Sequence, residues 1–312
     1  MNYKFLTMRN IRFSVSLLLV GASLLMCHSC TTCSRKRTVE NITVDLADLI
    51  TDTTYLNMAR KAYYALPTPI ELSRLIKSSG IAWQPALLND PAEAAKYLTH
   101  RKMALNFGVY ITDLTYAGLF EQPQTVLRYK RAIEQLTEGL GLQSAIDAST
   151  MKLLEENIND KDAVLRIISD MYVSCTASLD ESDRYSLTLA ILTGGWVEAM
   201  YIATSVINEI MPSNESRMKQ LVVDQKLTFD MLWQGLSELK NIPDVADLMN
   251  DLSQLAKLYD VVGVDHSPNT VEVAEDGQSS NIVSANITDV TPKKFAQIKE
   301  QIQILRQTFT KI

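Results

Sequence analysis

The sequence predicts an all-α fold, a multi-helix bundle or an array of antiparallel helical hairpins, on three observations. Glycine and proline are sparse, 11 and 9 in 312 residues, whereas a β-sandwich or barrel needs turn residues about every eight to twelve positions. Hydrophobic side chains make up 46% of the chain at a mean hydropathy of -0.01, enough apolar material for a sizeable core. From Thr51 onward, apolar residues recur at helical spacing behind proline-led starts.

The first elements differ from the rest. Lys4, Arg9 and Arg12 precede Phe13–Met26, an uncharged and mostly apolar stretch with the length of a signal-peptide core, shorter than the roughly 20 residues a spanning helix needs. Residues 1–29 therefore read as a lipoprotein signal peptide. The segment Ser23-Leu24-Leu25-Met26-Cys27-His28-Ser29-Cys30 resembles a bacterial lipoprotein box, in which a small residue precedes the cysteine that is acylated, with palmitate-type chains, and becomes the new amino terminus. Ser29 makes Cys30 the expected lipidation site; Cys27, which follows Met26, is the alternative. Residues 30–41, polar and basic at Arg35-Lys36-Arg37, read as a tether, and 42–312 as the helical domain.

Within that domain, Thr68-Pro69-Ile70-Glu71 sets a capping residue, a first-turn proline and an acidic third residue before Leu72, Leu75 and Ile76, predicting a helix to Gly80. Asp90-Pro91-Ala92-Glu93 repeats the device. The helix it opens is expected to continue, with a bend near Thr99, through Met103, Phe107, Tyr110 and Leu114 to about Phe120. Gln122-Pro123 breaks the pattern, and Val126, Tyr129, Ile133 and Leu136 mark the return arm of a hairpin that ends at Gly139-Leu140-Gly141. Further helices are expected near 143–158, 161–178, 183–211, 215–239 and 244–260, with a last one from Thr291-Pro292 toward Phe309. Between them, Val264–Asp289 carries Pro268 and Asp276-Gly277 among short alternating runs, compatible with a small β-hairpin near 270–287 or with a loop. A tetratricopeptide-like spacing of Tyr116, Tyr129 and Ala132 is not sustained one repeat later, so no repeat array is read.

Composition and motifs exclude several functions. Removal of residues 1–29 takes away three basic side chains and no acidic one, leaving 27 basic against 36 acidic, which argues against nucleic acid as a partner. Cys27, Cys30 and Cys33 have CxxC spacing, but a zinc or iron–sulfur site usually wants four ligands and the only later cysteine is Cys175, so no metal or other cofactor is expected. Cys175 lies in an apolar helical run, where a free cysteine is usually a small buried hydrophobe. His100 and His266 have no second ligand at metal spacing, and no nucleophile constellation or phosphate loop is present in the sequence.

Two helical segments nonetheless carry polar groups among apolar ones. Asn106, Tyr110 and Asp113 fall at i, i+4 and i+7 and share a helix face, and Glu198 follows Gly194-Gly195-Trp196-Val197 inside a long apolar run. If these helices pack together, Asp113 and Glu198 form either a paired-carboxylate catalytic site or a buried hydrogen-bond network that fixes helix register, with tyrosine hydroxyls satisfying the carboxylates. Tyr110, Tyr116, Trp196 and Tyr201 are the candidate ligand-binding residues.

The segments Gly108-Val109-Tyr110-Ile111-Thr112-Asp113-Leu114-Thr115-Tyr116 and Gly194-Gly195-Trp196-Val197-Glu198, with the Cys30 anchor, resemble a group of uncharacterised helical lipoproteins of Bacteroidetes. The resemblance implies an envelope location and brings no catalytic residues with it. Asp52-Thr53-Thr54 likewise resembles the short O-glycosylation motif of exported proteins in that phylum. The expected function is thus an envelope-anchored scaffold or binding protein, held to a membrane on the periplasmic side or in the outer membrane, with an envelope protein as its partner; the alternative is a hydrolase or other enzyme working through Asp113 and Glu198.

Overall fold

The computed structural model describes residue 77 and residues 81–207, 212–262, 270–273, 280–283 and 291–312. The segments read as signal peptide (1–29) and tether (30–41), with Cys27, Cys30 and Cys33, and also Asp52-Thr53-Thr54, most of the helix expected at 68–80 and most of 264–289 lie outside the described residues. The fold is all-α. Its long helices are α1 (His100–Leu119), α2 (Pro123–Leu140), α3 (Ala148–Glu156), α4 (Lys161–Glu181), α5 (Tyr185–Val206), α6 (Pro212–Glu238), α7 (Pro243–Asp260) and α8 (Pro292–Thr310). Thr270–Val273 (β1) and Ser280–Val283 (β2) pair antiparallel, Thr270 opposite Val283.

Local chemistry explains where these helices begin. Proline opens α2, α6, α7 and α8, where its missing N–H costs nothing and its fixed φ suits the first turn. Thr99, Asp147, Asp160 and Thr291 each accept a backbone N–H of the first turn, from Lys102, Thr150, Ala163 and Lys294. At the far end of α2, Gly141 takes a left-handed φ of 67°, and the N–H groups of Gly141 and Leu142 close on the carbonyls of Glu138 and Thr137.

One predicted helix is divided. Where the sequence predicts a continuous run from Asp90 to about Phe120, the chain forms a 3-10 helix over Pro91–Lys96, passes through extended Tyr97 and Thr99, and starts again at His100. The break is held from both sides. The buried Tyr97 ring packs against Tyr110 and its hydroxyl donates to the Thr310 carbonyl, while Thr99 caps α1. A second 3-10 helix, Pro85–Leu87, precedes it. The segment expected near 143–158 is an α-helix only from Ala148, after a turn through Leu142–Ile146.

α1 is the centre of the body. Every residue from Ala104 to Leu119 is buried, because α2, α4, α5 and α8 all pack against it. A helix enclosed on all sides needs no polar stripe, which accounts for the mixed pattern of its sequence. Its most extensive partner is α5, and the two backbones come close enough that side chains at the crossing would not fit. A Cβ on Gly194 would collide with the Leu105 carbonyl, and one on Gly108 would collide with the Ile191 carbonyl and lie 2.6 Å from the Gly195 nitrogen. Arg184, just before α5, donates to the Leu140 carbonyl at the end of α2, and Gly139 there lies against Met103 at the start of α1, while Asp113 and Glu198 adjoin further along; the two helices therefore run in the same direction.

α5 is long and apolar enough to cross a membrane by length and composition, but 89% of its apolar window is buried inside the protein, as in the core helix of a soluble protein. Around the central pair, polar ties join the outer helices: Trp196 Nε1 donates to Gln225 of α6 at 3.2 Å, Tyr259 of α7 donates to the Val222 carbonyl of α6 at 3.2 Å, and Arg101 of α1 pairs with Asp251 of α7 at 2.7 Å. Lys102 Nζ donates to the carbonyls of Thr308 and Lys311 at 2.9 and 2.8 Å, capping the carboxyl end of α8.

Candidate functional site

The parallel crossing fixes the polar centre. Asp113 lies one turn beyond Gly108 on α1 and Glu198 one turn beyond Gly194 on α5, so the contact between small residues carries the two acids past it as neighbours. Both carboxyls have zero exposure. Asp113 Oδ2 accepts the backbone N–H and the side-chain amide of Asn89, each at 3.0 Å. Glu198 accepts from Arg306 of α8, Nε at 3.1 Å and Nη2 at 3.4 Å, and the same Nη2 donates to the Leu87 carbonyl at 3.1 Å. The Arg306 guanidinium also lies over the Tyr201 ring, 4.5 Å from its centroid.

Electrostatics divides the two acids. Burial, and then the charge of Glu198, holds the Asp113 carboxyl well above the usual carboxylate range, against the lowering pull of the Asn89 donors and Arg306. Burial raises Glu198 as well, but Arg306 opposes it first, both as a charge and as a hydrogen-bond donor. Of the two, Asp113 is therefore held further toward its protonated form, and Glu198 is the one bonded directly to the guanidinium. Asp113 Oδ1 is buried and accepts no N–H or O–H among the described residues, and the Asp113 side chain acts on Glu198 as a hydrogen-bond partner, so Oδ1 is the oxygen able to share a proton with it.

The shared face predicted for Asn106, Tyr110 and Asp113 exists, and each side chain on it meets a different partner. Asn106 Nδ2 donates to the Phe309 carbonyl at 3.0 Å, Tyr110 to the Asp90 carbonyl at 2.7 Å, and Asp113 accepts from Asn89. The tyrosines do not satisfy the carboxylates as expected. The Tyr129 hydroxyl of α2 also turns to a carbonyl, that of Asn89. Between its two 3-10 helices the segment 85–98 presents the carbonyls of Leu87, Asn89 and Asp90 to donors from α8, α2 and α1: Leu87 takes the Arg306 guanidinium, Asn89 the Tyr129 hydroxyl, and Asp90, which also accepts the Glu93 N–H, the Tyr110 hydroxyl.

Of the candidate ligand-binding residues, Tyr110, Tyr116 and Trp196 are buried; Tyr201 is half-buried under Arg306. Tyr116 stacks on Trp83 at 5.1 Å and Trp196 sits against Phe229 at 5.6 Å, both as core packing. Among the described residues, no three His, Cys, Asp or Glu side chains are grouped to hold a metal ion. Asn89, Tyr129 and Arg306 were not singled out from sequence, though Arg306 left a signal: it lies between Ile302 and Phe309 on the edge of α8's buried face, where a charged group needs a partner.

No protein-family model matches the chain, and no curated protein or solved structure matches it either.

Proposed function

We propose that the chain is an envelope lipoprotein, anchored through Cys30, whose helical body serves as a scaffold or binding domain. The observation that carries this reading is the state of its most reactive-looking groups. Asp113 and Glu198 are fully enclosed, and Asn89 and Arg306 engage them from two other parts of the chain. A general acid must reach the proton acceptor on its substrate within hydrogen-bond distance, directly or through one water. Here that reach is spent on fastening α8 and the 85–98 segment to α1 and α5. The anchor rests on the basic, apolar and Ser29-Cys30 sequence at the amino end.

The test is capture from detergent-solubilised membranes, with the wild-type chain and Cys30→Ala in parallel, followed by reconstitution of any binary complex from purified components. A saturable complex that the folded body forms on its own supports the proposal. No reproducible partner or ligand contradicts it. A hydrolytic turnover abolished in a folded Glu198→Gln variant would replace it with the enzyme reading.

A further inference from the structure

We propose that the proton shared between Asp113 and Glu198 is a latch, holding α8 and the 85–98 segment against the α1–α5 pair and releasing them when it is lost to alkaline medium. The inference is independent of the membrane anchor and of any binding partner.

Charge counting is the starting point. Two buried carboxyls face one guanidinium, and the remaining polar partner, Asn89, is neutral. With one proton in the centre, Glu198 is balanced by Arg306, and Asp113 is a neutral acid whose Oδ2 accepts from Asn89 and whose otherwise unpartnered Oδ1 donates to Glu198. Without the proton, two buried carboxylates adjoin and one negative charge is uncompensated, which the interior tolerates poorly.

Among the described residues, the cation hydrogen-bonded to the pair is Arg306. Arg306 comes from α8, Tyr97 from the 85–98 segment, Tyr110 from α1 itself, and Tyr129 with Arg128 from α2; burial holds all three tyrosines above their ordinary range, so they stay neutral. Tyr201 of α5 acts through Arg306. α4 meets α1 at Gly118 with the apolar Val164, Leu165 and Ile168, and α6 reaches α5 with the neutral Gln225.

Relief must come from the elements that can move. α1 and α5 are interlocked backbone to backbone at Gly108 and Gly194 and cannot part locally. α8 and the 85–98 segment meet no such backbone lock at the centre, and side-chain donors tie them there: Arg306 to Glu198 and Leu87, Tyr129 to Asn89 and Tyr110 to Asp90. These two carry Arg306 and Asn89, the direct partners of the pair. The Arg306 side chain is 16% exposed, which gives water and hydroxide their approach.

The test uses the full chain, labelled with 13C-aspartate, and two readouts. Infrared spectra at neutral pH should show the carbonyl stretch of a protonated aspartic acid that shifts with the label and disappears in Asp113→Asn. Hydrogen exchange, corrected for its intrinsic pH dependence, should accelerate in α8 and 85–98 as pH rises toward the range in which the band is lost, by up to tenfold per pH unit for a one-proton opening, level off once the band is gone, and stay flat in Asp113→Asn. Absence of the band, its persistence in the variant, or exchange in α8 and 85–98 that ignores its loss would each overturn the proposal. Should Asp113→Asn not fold, the labelled wild-type band and wild-type exchange decide alone. None of these outcomes bears on whether the body binds a partner.

Discussion

Among the described residues, Arg306 is the cation bonded to the buried pair, so its removal exposes what the polar centre costs. Arg306→Met keeps much of the side-chain volume but strands Glu198 as an unpaired buried charge and leaves the Leu87 carbonyl without its donor. Breaking a buried ion pair in this way typically costs about 3–5 kcal/mol. Urea unfolding at neutral pH should show a loss of that order. A loss under about 1 kcal/mol, the scale of an exposed pair, would mean that the centre is hydrated.

Asp113→Asn should behave differently. The folded carboxyl holds its proton above the ordinary range, so its contribution is complete below the unfolded value of about 3.9 and declines as pH rises toward the folded value. An asparagine keeps the acceptor for Asn89 and a donor toward Glu198 without needing a proton. Relative to wild type, the variant should therefore gain stability with rising pH, by at most about 1.4 kcal/mol per unit in that window. Unfolding midpoints measured from pH 5 to pH 9, a span set by the ordinary working range of buffers at about neutral pH, would refute this if the two proteins stayed parallel. Cys175 offers a simpler check: burial pushes its thiol up to about 12, so the Cys175 peptide should resist alkylation in the native protein and react once it unfolds.

At the scale of elements, the α1–α5 crossing sets the position of the acids, and its glycines are not equivalent. Gly194→Ala and Gly108→Ala place a methyl against main-chain carbonyls that cannot move aside, and overpacking of this kind costs about 1–3 kcal/mol or more. Gly195→Ala meets its nearest atoms at 3.4 and 3.5 Å, ordinary contacts, and gains helix propensity worth up to about 1 kcal/mol. Thermal unfolding should rank Gly195→Ala at or above wild type and the other two below it; equal losses at all three would contradict the crossing.

The helices themselves were legible because their signals are local. Gln122-Pro123 and Thr291-Pro292 mark boundaries in the sequence, and their prolines open α2 and α8 in the structure. The break at Tyr97–Thr99 was only partly legible, since it depends on Thr310, more than two hundred residues away. The site shows the same limit. Spacing placed Asn106, Tyr110 and Asp113 on one face, but nothing local revealed that Asn89 and Arg306, from opposite ends of the body, would answer the acids in place of tyrosines.

For the whole molecule, the helical body and the anchor carry separate parts of the proposal, and each can fail alone. Cys30→Ala should leave the unfolding transition of the body unchanged while releasing the chain from membranes, because among the described residues the buried core and the polar centre are built from residue 81 onward. Stable attachment needs more than one acyl chain, since a single chain binds only marginally and reversibly. The most direct measurement is therefore the intact mass of the protein extracted from membranes. The proposal expects a chain that begins at Cys30 and bears a diacyl or triacyl amino terminus; a chain beginning at Cys27 would only move the anchor. A chain that starts after Cys33, or one that still carries Met1, would contradict it.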